Sequence, residues 1–234
     1  MRKIASFAGL FILLSSAISA QTSVSRTYIK GGRDAWSNYL QEIYLAPSFQ
    51  QGTVEYKNGK RYKSNLNYNR ALAAIQFIDE KGDTLALNND DKSVSVVTID
   101  KTEFYMDPVC IEKIFGNEKV MLGKNEKTRL ADKQKVGAMG IPSDAGTIDS
   151  YDRTYSRNNH YIDINEQLLI RKTTTFYIAG SEGKFALATR KNILAMFPKS
   201  QKEINKFIQE KDIDFSKEAD LMSLTEFLSS NAIQ

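Results

Sequence analysis

The chain has 234 residues, with 32 Lys and Arg against 28 Asp and Glu, one histidine and one cysteine. This near-balance of charge lacks the dense basic field that nucleic-acid binding requires. A single cysteine, Cys110, excludes an intramolecular disulfide, and one His with one Cys gives no paired zinc-ligand spacing.

Met1-Arg2-Lys3 is a short positive start, Ile4 to Leu14 is apolar and broken only by small residues, and Ser15 to Ala20 is a small-residue stretch. Residues 1–20 therefore read as a secretory signal peptide, cut between Ala20 and Gln21, with a cut after Ser19 as the competitor. The apolar run is about half the roughly twenty residues of a spanning helix, so no transmembrane segment is expected in the mature chain. No cysteine stands at the junction to carry a lipid anchor. Cleavage removes two of the 32 basic residues, leaving 30 against 28 acidic ones, a net of +2. The lone cysteine and the lack of Asn-X-Ser/Thr in the mature chain favour a bacterial exported protein. Periplasm, outer membrane and medium all fit that reading.

From Tyr44 to Phe115 short β-type runs alternate with turn signals, the pattern of an antiparallel meander. Gly52 to Lys57 alternates, Asn58-Gly59 supplies the two positive-φ positions of a type I′ turn, and Arg61 to Tyr68 returns. Leu72 to Asp79, Thr84 to Leu87, Ser93 to Ile99 and Glu103 to Met106 continue the series, with breaks at Glu80–Asp83 and Asn88–Asp91. Such contiguous strands usually pair in space. Val109–Phe115 and Val120–Leu130 read as two further strands. Lys135 to Asn158, with its glycines and polar residues, reads as a long loop. Strand character returns at Leu168–Tyr177 and, after Ser181-Glu182-Gly183, at Lys184–Thr189.

The period then changes. Ile193, Leu194 and Phe197 share a helical face that Pro198 ends. Ser200-Gln201-Lys202-Glu203 is a capping box before Ile204, Phe207 and Ile208. Ser216 is placed to cap a third helix with a stripe of Leu221, Leu224, Phe227 and Leu228. The expected fold is α+β, predominantly β: a curved antiparallel meander, open barrel or sandwich, with short C-terminal helices near 190–229. Residues 21–234 form one domain in this reading.

Tyr44-Leu45-Ala46-Pro47-Ser48-Phe49, Gly52-Thr53-Val54-Glu55-Tyr56-Lys57-Asn58-Gly59 and Leu66-Asn67-Tyr68-Asn69 resemble the opening module of exported proteins of unknown function from Gram-negative bacteria. There an aromatic precedes a G-x-V-x-aromatic-x-N-G hairpin and an L-x-Y-N strand. The end of the chain, Phe197-Pro198 through Lys202, Ile204, Phe207, Ile213, Phe215 and Asp220-Leu221, is similar to how such proteins close. The resemblance implies an envelope location and a β-rich fold with a helical end; it brings no catalytic residue.

Chemical motifs are few. His160, with Asp163 or Asp152 and Ser156, lacks a nucleophile elbow. Asn88–Asp91 and Asp163–Glu166 are oxygen-rich, but both lack a calcium-loop spacing and read as turns. Gly137-Ala138-Met139-Gly140 lacks the phosphate-loop spacing. Cys110, in an apolar run, reads as a buried packing residue. No catalytic, cofactor or metal residue is assigned, and no cofactor is expected. Tyr151, Arg153, Tyr155 and Arg157, a polar and aromatic mixture in the long loop, make the candidate interaction site. The sequence thus suggests a non-enzymatic envelope protein that binds an unidentified partner or ligand. A periplasmic carrier of a lipid or other small apolar ligand in a half-barrel cavity is the alternative, and an envelope hydrolase the second.

Overall fold

The computed structural model describes residues 22–88, 90, 92–136, 142–143 and 162–230. β1 (Thr22–Gly32) and helix α1 (Ala35–Ile43) come first, and neither is read from the sequence. β2 (Gln50–Tyr56), β3 (Arg61–Asn69), β4 (Ala74–Ile78) and β5 (Thr84–Ala86) form one meander; β6 (Val94–Ile99), β7 (Thr102–Tyr105), β8 (Ile111–Gly116) and β9 (Met121–Val136) form another. The long β11 (Ile162–Ala179) lies between β9 and β1, while β10 (Pro142–Ser143) pairs with β9 and β12 (Phe185–Leu187) with β11. The result is one open twelve-stranded antiparallel sheet, ordered β1-β11-β9-β8-β7-β6-β2-β3-β4-β5 along its main path. With its short helices it is predominantly β, within the α+β class.

Several local expectations change. β6 does not pair with β5; it returns to β2, matching Val54 with Val97, so the sheet is two meanders joined at their first strands. At the first hairpin only Gly59 has positive φ (+81°). Tyr56 and Lys60 close a three-residue loop, with the Tyr56 amide donating to the Lys60 carbonyl at 2.9 Å. This is the type I turn plus glycine bulge of a longer hairpin, not a type I′ turn. Gly82 (φ +85°) plays the same part after β4. β9 and β11 outrun their expected lengths: Lys135 and Val136 belong to β9 and pair with β10, and Asp163–Glu166 is strand, not turn. Apart from Pro142 and Ser143, which form β10, the remainder of the expected loop, and residues 1–20 with Gln21, lie outside the described residues.

The helical end follows the sequence closely. α2 (Arg190–Met196) is capped by the Thr189 hydroxyl, which accepts from the Asn192 amide at 3.0 Å. A 3-10 turn over Pro198–Ser200 leads into α3 (Gln201–Glu210), and α4 (Glu218–Ser230) closes the described chain. Ser200 is buried and its side chain caps nothing, so the capping box does not form. The Ser216 hydroxyl donates to Asp214 Oδ1 at 2.7 Å instead of capping α4.

Three main clusters hold the layers. Inside the curl of β2–β7 pack Val54, Leu66, Tyr68, Ile75, Val97 and Phe104, with Cys110 buried as expected. Burial pushes the Cys110 thiol pKa far up, which keeps it protonated and inert. The helices cover β9 and β11 by setting Ile193, Ile204, Leu221, Leu224 and Leu228 against Leu122, Phe176 and Ile178. Each such aliphatic side chain contributes roughly 1.5–3 kcal/mol of burial. Phe207 stacks on Phe227 at 4.2 Å, tying α3 to α4. At the other end α1 lays Ala35 and Tyr39 on Ile29, Leu168 and Ile170. No described helix is long and apolar enough to cross a membrane.

Candidate anion-binding face

The position of α1 fixes what the opposite side of β1, β11 and β9 displays. Strand side chains alternate, so burying one residue decides where its neighbours point. Ile29 is buried under α1, which turns Val24, Arg26, Tyr28 and Lys30 outward. Leu168 and Ile170 are buried on the same side, which turns Leu169, Arg171 and Thr173 outward. Thr128 is buried and Leu130 packs on the α1 cluster, so Lys127 and Arg129 face out as well.

The register then lines up three arginines. Arg26 stands opposite Arg171, and Arg171 opposite Arg129. Strands are about 4.8 Å apart, so the three span about 10 Å in one row. The next row on one side is Val24, Thr173 and Lys127; on the other it is Tyr28, Leu169 and Asp132. Arg26, Lys127, Arg129 and Arg171 are all exposed, and Val24 and Tyr28 are each 54% exposed. Among the described residues none of these four cations has a carboxylate at ion-pair distance, and Asp132 is the carboxylate that the register puts on this face.

The buried side of the same strands is the contrast. Lys172 Nζ lies 3.5 Å from Glu42 Oε2 on α1 and 3.7 Å from Glu126 Oε1. Arg70, at the end of β3, puts Nε 2.5 Å from Glu126 Oε1, with both side chains less than a sixth exposed. Arg70 also donates to the Tyr44 carbonyl. Cations facing inward are matched with carboxylates, whereas the arginines facing outward are set beside one another. Like charges directly opposite across strands are destabilising, so packing gives no reason for the row. An anion laid across it supplies the missing counter-charge.

Tyr151, Arg153, Tyr155, Arg157 and His160 lie outside the described residues, as do Ala20 and Gln21 of the cleavage junction. Tyr62 is exposed and meets Tyr56 edge-on, while Tyr105 is half-buried. Tyr68 is fully buried, and its hydroxyl donates to the Glu126 carbonyl at 2.9 Å. The Asn88 side chain accepts from the Asp90 amide at 2.7 Å, which is turn chemistry. Among the described residues no group of three or more His, Cys, Asp or Glu is placed to hold a metal ion. An open groove of about 680 Å³ runs past Lys101, Glu103, Lys113, Phe115 and Ser229, and one of about 490 Å³ past Lys184, Asn192 and Met196. Neither touches the arginine row. No protein-family model, curated protein or solved structure matches the chain.

Arg26, Arg129 and Arg171 are widely separated in sequence, and no spacing rule joins them. The usable signal was the Val24-Arg26-Tyr28-Lys30 alternation, which gives one face of β1 both apolar and cationic side chains.

Proposed function

We propose that this chain is an exported, non-enzymatic binding protein of the bacterial cell envelope, and that it holds an anionic ligand on the outward face of β1, β11 and β9. The observation that carries the binding role is the row Arg26–Arg171–Arg129, three exposed guanidinium groups set side by side with no acid partner among the described residues. A guanidinium presents donors in a fixed fork that suits phosphate and carboxylate oxygens, and a row of them recognises a ligand with several such groups. Export is supported by residues 1–20 and by the likeness of the Gly52–Asn69 module to exported Gram-negative proteins. The carrier alternative needs an empty apolar volume between sheet and helices. That volume is filled by Ile193, Ile204, Leu221, Leu224 and Leu228 against Leu122, Phe176 and Ile178.

Cell fractionation of a C-terminally tagged chain, with intact-mass measurement, tests the address. The expected product is an envelope or secreted protein that begins at or next to Gln21; a cytosolic product retaining Met1 to Ala20 overturns it. Elution from a phosphate-bearing matrix tests the face. The wild type is expected to need more salt than the triple Arg26→Gln, Arg129→Gln, Arg171→Gln variant, and equal elution removes the binding role.

A further inference from the structure

The arginine row does not stand alone on its face, and what surrounds it narrows the ligand. Along the outward side of β1 the order is Val24, Arg26, Tyr28, Lys30, so two large exposed apolar groups bracket the first arginine. Leu169 lies between Tyr28 and Asp132 in the adjoining row, and Lys127 continues the charge beside Val24 and Thr173. A soluble polyanion would be served by cations alone. It gives no use to Val24 and Tyr28, which cost free energy when left in water. Cationic and apolar groups interleaved on one exposed surface match the boundary of a lipid bilayer. There, phosphates meet guanidinium and ammonium groups, and tyrosine rings sit at headgroup level with the hydroxyl in water.

Resting on the proposed anion-binding role of this face, we infer that its occupant is a membrane surface bearing anionic phospholipid. The sheet lies against the headgroups through Arg26, Lys127, Arg129 and Arg171, while Val24 and Tyr28 enter the interface. The attachment is peripheral and reversible. Each cation strengthens it about fivefold, so it depends on the charge of the lipid and weakens with salt.

Co-sedimentation of the purified exported form, which begins at or next to Gln21, with vesicles tests this, using phosphatidylglycerol mixed into phosphatidylcholine, phosphatidylcholine alone, and inorganic polyphosphate as the soluble comparison. Every variant is purified in the same exported form, without the apolar segment 1–20 that would itself partition into vesicles. Binding is expected to the anionic vesicles and to be weak on phosphatidylcholine. The Arg26→Gln, Arg129→Gln, Arg171→Gln variant should bind roughly a hundredfold more weakly, its Arg→Lys counterpart should retain most of the affinity, and Val24→Ser with Tyr28→Ser should lose about tenfold. Melting midpoints confirm that each variant is folded. If polyphosphate binds as well as the vesicles do and the Val24, Tyr28 variant is unaffected, the lipid assignment falls while the anion-binding role stands. If neither vesicles nor polyphosphate bind, both fall. Vesicle binding that survives loss of the three arginines also overturns the inference.

Discussion

Arg171 and Lys172 are consecutive on β11 and lie on opposite faces of one sheet. Lys172 is matched with Glu42 and Glu126, at 3.5 and 3.7 Å, beneath α1. Arg171 is exposed between Arg26 and Arg129. The same three strands thus satisfy charge on the packed side and concentrate it on the open side. Like charges set opposite one another on neighbouring strands carry a cost in stability.

That cost is measurable at Arg171, the central member, which faces a like charge on both neighbouring strands. Arg171→Thr removes both repulsions and installs a residue suited to strands. The unfolding free energy should rise by about 0.5 kcal/mol in urea denaturation, while retention on the phosphate matrix falls. A variant that is less stable than wild type would mean that the guanidinium is held by packing, and the argument for the row as a binding device would fail.

The inward charges predict the reverse. Glu126 meets both Arg70 and Lys172, and Arg70 is nearly buried, so Glu126→Ala strands a cation where water cannot compensate it. A loss of about 3 kcal/mol is expected from denaturant unfolding. In a double-mutant cycle with Arg70→Ala the two losses should be far from additive, since each variant alone leaves the other charge unmatched. Additive losses would show that the short contact contributes nothing specific.

Tyr68 joins the first meander to the second. Its hydroxyl donates to the Glu126 carbonyl at 2.9 Å and receives the Asn125 amide at 3.4 Å, while its ring packs on Phe104. Next to it the Thr128 amide donates to the Arg70 carbonyl at 3.0 Å, so the end of β3 bridges to β9 across the curl. Tyr68→Phe keeps the ring contact and removes the bridge. It should cost about 1–2 kcal/mol by thermal or denaturant unfolding, because a buried carbonyl and amide lose a shared partner. Wild-type stability in this variant would place the joint in the Arg70 backbone alone.

The parts legible in the sequence were those decided locally. Val94 to Ile99 is a run rich in β-branched residues, Pro198 stops α2, and the Leu221, Leu224, Phe227 and Leu228 stripe falls on α4. β1 escaped because Ser23, Val24, Ser25 and Arg26 bury little themselves; the strand exists because β11 offers it a partner along almost its whole length. The switch of β6 from β5 to β2 escaped for a related reason. Thr84-Leu85-Ala86 would look the same as an inner or an edge strand, and its exposure on every residue is a tertiary outcome. The Asn58-Gly59 turn was placed correctly but typed wrongly, because the neighbouring residues, not the dipeptide, decide whether a hairpin closes with two residues or three. The arginine row was out of reach because it is written only in register, and register is set by Ile29, Leu168, Ile170 and Leu130 meeting α1.

Glu112 on β8 carries the clearest pH prediction. Burial raises its pKa above the ordinary 4.5; Lys124 opposite it and Arg70 oppose that shift, and Glu126 and Glu218 reinforce it. Lys124 is shared with Glu218, 3.5 Å away, so it cannot serve Glu112 fully. The folded state therefore holds the Glu112 proton more tightly than the unfolded chain. Between the two pKa values the native form binds more protons, so Glu112 lowers stability as pH rises through that window. Glu112→Gln mimics the neutral acid. It should be more stable than wild type at pH 7, with the advantage shrinking on acidification and gone below about pH 3, where the carboxyl is neutral in both states. Unfolding midpoints across that range check the sign: a variant that is less stable at pH 7 would mean that Lys124 and Arg70 outweigh burial and that Glu112 is held as a stabilising anion.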